Sequence, residues 1–231
     1  PTRRHCRGRC GHNSFGDKIM AMQATPITEI LAMGPVMPVI VINEAKNSVA
    51  LADALFAGGL KTIEITLRTP AALDSIRAIA DARPNICIGA GTVISAKLAH
   101  AAKEAGAHFA VSPGTTQAVI DGCEAADLPL LPGASTVSEM MHLLEAGFTT
   151  MKFFPASAAG GTSLIRSLTS PLPQIKICPT GGISAISAPE WLALPNVECV
   201  GGSWVAPQNL INVGDFAAIE ALATEAASLT G

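Results

Sequence analysis

The fold is decided by the stretch TIEITLRTPAALDSIRAIADARPNICIGAG, residues 62–91. Its two ends, TIEITL (62–67) and ICIGAG (86–91), are short runs of apolar and β-branched residues, which are typical of strands. Between them, PAALDSIRAIADA (70–82) has apolar residues at the spacing of a helix. A strand–helix–strand unit of this kind predicts two parallel strands joined by a crossover helix.

The same unit repeats along the chain, so that eight strand-like runs begin roughly 20 to 26 residues apart. They are 36–42, 62–67, 86–91, 108–113, 128–133, 149–155, 175–180 and 197–202. Eight such units in about 205 residues predict one α/β domain, a (β/α)8 TIM barrel over residues 25–231. A doubly wound open sheet is the alternative. It would require a glycine-rich fingerprint directly after the first strand, where the chain reads INEAKN.

The segment before the first strand predicts an extra helix and a basic extension. In TPITEILAMG (25–34), Thr25 is expected to cap a helix that starts at Pro26 and stops at Gly34. Residues 1–24 carry five basic residues against one acid, a net charge of +4, which leaves −7 on the remainder of a chain whose formal charge is −3. We interpret residues 1–24 as a flexible extension. Nucleic-acid binding is not expected, because aromatic residues do not interleave the basic ones.

The composition excludes two broad classes of protein. Of the 231 residues, 49% are hydrophobic and 14% are charged, which is too apolar and too weakly charged for a disordered chain. The most apolar stretch, GPVMPVIVI (34–42), spans only nine residues and holds two prolines. No membrane span is therefore expected.

The cysteines indicate a cytoplasmic protein without a metal site. Four of them are widely spaced, as free thiols in a reducing compartment would be: Cys87, Cys123, Cys178 and Cys199. A compact cluster in the basic extension contains residue types that can bind zinc: His5, Cys6, Cys10 and His12. Structural zinc normally pairs ligands from two separated knuckles, so we interpret this cluster as coincidence.

Strand parity selects the residues that face the barrel axis, because successive strand residues point to opposite sides. In TIEITLR (62–68), isoleucine and leucine alternate with Glu64 and Arg68, which are therefore expected to face the axis. In TTMKFFP (149–155), the same alternation directs Lys152 inward. The sequence thus predicts an amine, a carboxylate and a guanidinium on the interior of one barrel.

Lys152 is the only one of seven lysines that falls inside the apolar run of a strand. Burying an unpaired ammonium is costly or forces neutralisation, and a neutral amine can attack carbonyl carbons. Glu64 could then shuttle protons, and Arg68, at the end of its strand, could bind a carboxylate. The alternative is that Lys152 and Glu64 form a structural ion pair.

Glycine-rich strand ends predict an anion site. TGG (180–182) and GGS (201–203) follow the seventh and eighth strands, where barrels commonly bind phosphate through backbone N–H groups. Ser203 adds a hydroxyl donor. Glycine also closes tight turns between strand and helix, so the pattern alone leaves both interpretations open.

Taken in order, the motifs resemble those of one known family. They are IEITLRT (63–69), GAGTV (89–93), SPG (112–114), MKFFPA (151–156), CPTGGI (178–183) and GGSW (201–204). From about residue 25 to Gly231 the chain is similar to the bacterial class I 2-keto-3-deoxy-6-phosphogluconate (KDPG) aldolases, which are often also active on 4-hydroxy-2-oxoglutarate. The family usually has an acidic residue after FFPA, where this chain has Ser157.

This resemblance implies a role for each candidate residue. Lys152 would form the Schiff base and Glu64 would be the general acid/base. The substrate-binding residues would be Arg68 and Thr92 for the carboxylate, Pro113 and Phe154 around the carbonyl, Thr180 in the wall, and Gly181, Gly182 and Ser203 for the phosphate. The resemblance also implies a homotrimer that works in Entner–Doudoroff carbohydrate metabolism.

The implied reaction cleaves a phosphorylated 2-keto sugar acid into pyruvate and glyceraldehyde 3-phosphate without a cofactor. An iminium on Lys152 would take up the electron pair left on carbon 3, so no metal is needed. Cleavage of 4-hydroxy-2-oxoglutarate would give pyruvate and glyoxylate, and the preference between the two substrates stays open. Two other functions also remain open. One is a sugar-phosphate epimerase or isomerase, and the other is a catalytically inactive sugar-phosphate-binding barrel in which Lys152 only contacts an anion.

Overall fold

The computed structural model describes residues 26–230, in which short strands alternate with helices. The strands are β1 (Val36–Ile40), β2 (Thr62–Thr66), β3 (Cys87–Gly91), β4 (Phe109–Val111), β5 (Leu130–Leu131), β6 (Gly133–Ala134), β7 (Thr150–Phe153), β8 (Lys176–Pro179) and β9 (Val200–Gly202). The helices are α1 (Ile27–Leu31), α2 (Ser48–Ala57), α3 (Ala72–Ala82), α4 (Ala96–Glu104), α5 (Gln117–Ala125), α6 (Val137–Glu145), α7 (Gly161–Leu168), α8 (Ala188–Leu192), α9 (Gln208–Val213) and α10 (Phe216–Ala227).

These strands close into one parallel barrel. One sheet has the order β5-β4-β3-β2-β1-β9, and the other has the order β6-β7-β8. β6 continues β5 after a single residue, and the bridges Ile177–Val197 and Thr180–Gly201 join the β8 segment to the β9 segment. The eight predicted strand positions therefore form a ring, and each is followed by a helix. The predicted (β/α)8 barrel is confirmed.

The fifth predicted strand, 128–133, is divided at Pro132 into β5 and β6. Proline has no N–H group to donate to a strand ladder, so regular pairing is interrupted there. β5 pairs with β4, while β6 pairs with β7. The Pro132 carbonyl still accepts a hydrogen bond of 2.8 Å from the backbone N–H of Lys152, so β7 stays tied to this strand.

Alternate strand residues separate into two apolar layers, as parity predicts. Ile63, Ile65, Met151 and Phe153 belong to the layer between strands and helices. The barrel interior holds a second cluster, formed by Met37, Cys87, Phe109, Val111, Leu131, Cys178 and Cys199 with Ile30 and Leu31 of α1. Since α1 leads directly into the start of β1, it covers the amino-terminal mouth of the barrel. The carboxyl-terminal mouth is left for a site.

α1 is the predicted extra helix, but its limits differ from the expected ones. Pro26 has φ −59° and ψ 150°, an extended backbone, so it is the N-cap rather than the first helical residue. The helix ends at Leu31 with Ala32 as its C-cap, so Gly34 is not its stop residue. Thr25 and the whole extension 1–24, including its cysteine–histidine cluster, lie outside the described residues.

Residues 26–230 contain neither a membrane-spanning helix nor a cluster of metal ligands. No helix in this range is long and apolar enough to cross a bilayer. No group of three or more His, Cys, Asp or Glu side chains in the same range could hold a metal ion. The four cysteines of this part of the chain are buried and free: Cys87, Cys123, Cys178 and Cys199.

Candidate active site

Lys152 and Glu64 meet inside the barrel, although they are 88 residues apart in sequence. The Lys152 Nζ atom lies 3.2 Å from Oε1 and 3.3 Å from Oε2 of Glu64. Their side chains are 4% and 2% exposed, respectively. β7 supplies the lysine and β2 supplies the glutamate, each from an inward-facing position. Parity predicts that both face the interior, and the structure adds that they are in contact.

A charge pair this deeply buried is costly to desolvate unless it is well paired. The same geometry allows Glu64 to accept a proton from Lys152, which leaves the neutral amine that attacks carbonyl carbons. The structural ion pair and the nucleophile–base pair therefore share one arrangement in the resting protein. The groups around the pair must distinguish the two interpretations.

Gly91 of β3 provides the space that the Glu64 side chain occupies. A Cβ atom built on Gly91 would overlap the Glu64 carboxylate. Gly89, two residues earlier on the same inward face, instead leaves space for the Phe109 ring. The two glycines of GAG thus serve different parts of the barrel: Gly91 accommodates the site, and Gly89 accommodates the core.

A cavity of about 230 Å³ opens at the carboxyl ends of the strands. Six predicted site residues line it: Arg68, Phe154, Thr180, Gly181, Gly182 and Ser203. Phe154 connects this cavity to the buried pair, because its ring centroid lies 5.7 Å from the Lys152 Nζ atom. Phe154 is therefore a neighbour of both the cavity and the amine.

Arg68 is the only charged residue that lines this cavity among the described residues. Its Nε donates a 3.0 Å hydrogen bond to the Thr92 Oγ1 atom. Thr92 has φ 61°, a left-handed backbone that is unusual for a β-branched residue. The strained backbone and the hydrogen bond together hold a guanidinium at the cavity. A cation with no facing carboxylate favours an anionic ligand.

The loop Gly181–Gly182 forms another wall of the cavity. Both glycines have left-handed backbones, with φ 103° and 76°, which lets main chain rather than side chains face the cavity. Ser157 holds this loop, since its Oγ donates to the Gly182 carbonyl at 3.0 Å and its N–H donates to the Gly181 carbonyl at 3.1 Å. Ser203 is exposed at the edge of the same cavity.

Besides the buried pair Lys152 and Glu64, two predicted residues do not line the cavity. Thr92 lies behind Arg68, as its hydrogen bond shows. Pro113 follows β4, and its backbone packs closely against Gly133, which is the register partner of Lys152. Pro113 therefore lies on the lysine side of the site. The functional roles of all ten residues stay predictions at this point.

Sequence reasoning missed four residues of the cavity lining: Val39, Val41, Ile183 and Gly201. Val39 and Val41 share the parity of Met37, which is in the barrel interior. Extending the alternation along the first strand would therefore have found them. Gly201 belongs to the GGS motif but was not given a role. Ile183 ends the CPTGGI motif (178–183) but was not given a role.

A larger cavity, about 410 Å³, lies elsewhere on the molecule. It is lined by Ile120, Cys123, Glu124, Asp127, Leu128, Pro129, Leu130 and Phe148. Its only charged groups are two carboxylates, and none of the predicted site residues contributes to it. The larger cavity is therefore not the candidate site, because the predicted site residues line the smaller one.

The fold and the site define a (β/α)8-barrel enzyme with a buried amine–carboxylate pair beside a cavity that holds one cation. The family model for KDPG and KHG aldolases matches residues 27–222. The chain belongs to this family, and it is therefore an aldolase, a carbon–carbon lyase whose substrates are small molecules.

Individual relatives agree with this family over most of their length. The chain is 48% identical to a 2-dehydro-3-deoxy-phosphogluconate aldolase of Pseudoalteromonas atlantica over 198 residues, 86% of this chain and 92% of the relative. It is 45% identical to the KHG/KDPG aldolase of Escherichia coli K12 over 202 residues, 87% of this chain and 95% of the relative.

A solved structure is also similar. KDPG aldolase from Legionella pneumophila, with pyruvate captured as a covalent carbinolamine intermediate, superposes with a TM-score of 0.86 at 43% identity. That comparison covers 88% of this chain and 99% of the Legionella chain.

Proposed function

We propose that this chain cleaves KDPG into pyruvate and glyceraldehyde 3-phosphate through a Schiff base on Lys152. The observation that carries the proposal is the buried Lys152 Nζ atom, 3.2 Å from the Glu64 carboxylate and beside the cavity of Arg68 and Ser203. An amine that is merely structural does not require a ligand cavity next to it. The Legionella relative, captured with a covalent pyruvate carbinolamine, supports the same chemistry.

The reaction starts with the amine. Glu64 takes a proton from Lys152, and the neutral Nζ atom attacks carbon 2 of the keto acid to give a carbinolamine. Loss of water from the carbinolamine gives the iminium, which is a strong electron sink. Glu64 is the described carboxylate within hydrogen-bond distance of Nζ, so it is the group that moves these protons.

Bond cleavage follows from the iminium. Removal of the proton from the hydroxyl on carbon 4 lets the bond between carbons 3 and 4 break, and its electron pair moves into an enamine on Lys152. The aldehyde leaves as glyceraldehyde 3-phosphate. A proton returned to carbon 3 converts the enamine to the pyruvyl iminium, and water releases pyruvate. We assign both proton transfers to Glu64.

The cavity walls supply the binding groups. Arg68, held by Thr92, would bind the carboxylate of the keto acid, with Pro113 and Phe154 around the carbonyl and Thr180 in the wall. The backbone of Gly181 and Gly182 and the Ser203 hydroxyl would bind the phosphate. The name of the E. coli relative supports 4-hydroxy-2-oxoglutarate as a second substrate, cleaved to pyruvate and glyoxylate.

We also propose a homotrimer in the cytoplasm. The resemblance of the motifs supports the trimer. The four buried, unpaired thiols of residues 26–230 support a reducing compartment.

The direct test is pyruvate release. Purified protein is mixed with KDPG, and pyruvate is followed with lactate dehydrogenase and NADH. The proposal expects turnover in the range of ordinary enzymes, about 1 to 10³ per second. Failure of KDPG to give pyruvate while 4-hydroxy-2-oxoglutarate does so would reassign the substrate, and failure of both would refute the proposal.

The proposed phosphate site predicts different effects of one variant on the KM values of the two substrates. Ser203→Ala is expected to raise KM for KDPG about 10-fold or more, because a hydrogen bond to a charged group contributes about 1.5–3 kcal/mol. KM for 4-hydroxy-2-oxoglutarate, which has no phosphate, should not change. Arg68→Lys is the matched control and should raise KM for both substrates, because both have the carboxylate. An equal effect of Ser203→Ala on both substrates would contradict the phosphate assignment.

A second prediction concerns the space that Gly91 leaves for the Glu64 side chain. Gly91→Ala is expected to displace the Glu64 carboxylate and to lower kcat about 10-fold or more, because catalytic groups tolerate little misplacement. Its stability should change little, since the flexible end of Glu64 can move. Gly89→Ala is the control: it presses on the Phe109 ring and should cost about 1–3 kcal/mol of unfolding free energy. Urea unfolding and kcat, measured on both variants, distinguish the two effects.

A further inference from the structure

Two thiols that the proposed reaction does not use lie together in the barrel interior. The Sγ atoms of Cys178 and Cys199 are 3.5 Å apart, and the Cys199 thiol donates its hydrogen bond to Cys178. Both residues are 1% exposed. They come from neighbouring segments of the barrel wall, β8 and the residue before β9.

The thiol pair is adjacent to the catalytic layer. Cys178 is the register partner of Lys152, so the two side chains leave neighbouring strands at the same height. Two residues further along each strand, Thr180 and Gly201 line the cavity. A Cβ built on Gly201 would overlap the Thr180 hydroxyl, so the Thr180 side chain covers the gap above the thiols. One side-chain layer thus separates the pair from the cavity.

The pair also differs chemically from the other two described cysteines. Burial raises the pKa of Cys87 to about 12 and that of Cys123 to about 11, which makes both unreactive. The hydrogen bond from Cys199 lowers the pKa of the Cys178 thiol, and the Lys152 ammonium adds to this shift. Burial and the Glu64 carboxylate oppose it. The pKa of Cys199 is raised by its hydrogen bond to Cys178 and by burial. Cys178 is therefore the nucleophilic member of the pair.

We propose that Cys178 and Cys199 are an oxidisable dithiol, modified by a hydroperoxide that reaches it through the cavity when no substrate is bound. The Cys178 sulfur attacks the peroxide oxygen, the O–O bond breaks, and a sulfenic acid and water form. The Cys199 sulfur then attacks the sulfenic sulfur and expels a second water. Two thiols and one hydrogen peroxide give one disulfide and two waters.

The disulfide is inferred to slow the reaction at Lys152, which rests on the function proposed above. Sulfur atoms in a disulfide are about 2.05 Å apart, so closing the bond brings the two Sγ atoms, now 3.5 Å apart, more than 1 Å closer together. Lys152 is the register neighbour of Cys178, and Thr180 and Gly201 are cavity walls, so we infer that the repacking around the closed bond reaches both the nucleophile and its pocket. Displacements of about 1 Å in a catalytic site reduce turnover by up to about 100-fold.

The experiment exposes the full-length reduced protein to hydrogen peroxide and follows disulfide formation by mass spectrometry. Digestion at glutamate, after Glu190 and Glu198, places the two cysteines in different peptides, so their cross-link is read directly. We expect this cross-link and a loss of KDPG cleavage of about 10-fold or more, and dithiothreitol should remove the cross-link and restore cleavage. Inorganic phosphate, which does not consume peroxide, should slow the cross-link when it is present during oxidation, because it would occupy the cavity.

Matched variants locate the effect. Cys199→Ala should form no cross-link and should not show the reversible loss, whereas Cys123→Ala, which removes a buried thiol elsewhere, should behave as the parent. No Cys178–Cys199 peptide in the parent protein would overturn the proposal, and this result does not depend on whether any variant folds. If the cross-link forms and KDPG cleavage is not reduced, the inferred effect of the disulfide on Lys152 is wrong. A reduced protein that cleaves neither substrate would instead refute the proposed function, because the cross-link is read by mass alone.

Discussion

Borohydride reduction in the presence of pyruvate is expected to leave a stable pyruvyl group on Lys152, and Lys152→Arg should abolish this adduct. The same variant should lower KDPG cleavage by about 10⁴-fold or more, the scale on which removal of a covalent nucleophile acts. Arginine stays protonated and cannot attack the carbonyl, yet it retains the positive charge beside Glu64. Intact-mass measurement and peptide mapping after reduction read the adduct.

The position of the adduct is specific because Lys152 is the only buried lysine in residues 26–230. Lys176, for example, begins β8 and forms an ion pair with Glu198 at 2.9 Å, with 44% of its side chain exposed. Lys176→Arg is therefore the control, and it should keep both the adduct and cleavage. An adduct on another lysine, or none in the parent protein, would refute the Schiff base on Lys152.

The same measurement separates the functions that the sequence left open. An epimerase or isomerase works with acid/base pairs and forms no covalent bond to an amine. A silent barrel in which Lys152 only contacts an anion would bind a sugar phosphate but would not be trapped by reduction. Of these three functions, only an aldolase that uses the amine as a nucleophile gives both the pyruvyl group and its loss in Lys152→Arg.

The inward positions of Lys152 and Glu64 could be predicted because parity is a local property of a strand. Alternation with apolar neighbours on β2 and β7 is sufficient to decide which side each residue faces. Their contact could not be predicted in the same way. The two residues are 88 positions apart, and whether they lie at the same height depends on how the strands are staggered when the barrel closes.

Other features depended on interactions that a single segment does not contain. Pro132 falls in an apolar run that resembles one strand, and its missing N–H divides that run only once β4 and β7 pair on its two sides. Gly91 looks like a turn glycine in sequence, whereas its importance comes from the Glu64 side chain that fills its space. The contact between Cys178 and Cys199 likewise requires that β8 and β9 be neighbours.

Glu64→Gln is expected to keep the pyruvyl adduct on Lys152 but to slow KDPG cleavage by about 100-fold or more. The amide has nearly the shape of the carboxylate and can still accept a hydrogen bond from the amine. It cannot take the proton from Lys152, so the adduct should form more slowly, with water as the proton acceptor. It also cannot take the proton from the hydroxyl on carbon 4 or return one to carbon 3, and no water is expected to replace it there. The variant should therefore reach the covalent intermediate and stall at bond cleavage. Single-turnover measurement of adduct formation beside kcat separates these steps.

A structural ion pair predicts the opposite pattern for the same variant. Removing one member of a buried pair leaves the other charge uncompensated and typically costs about 3–5 kcal/mol of stability, with no reason for cleavage to slow in the molecules that remain folded. Glu198→Gln removes the carboxylate of the half-exposed pair with Lys176 and controls for the loss of a charge. If Glu64→Gln unfolds more easily but keeps the parent kcat, Glu64 only neutralises Lys152. If kcat falls while the adduct still forms, Glu64 is the residue that moves the protons.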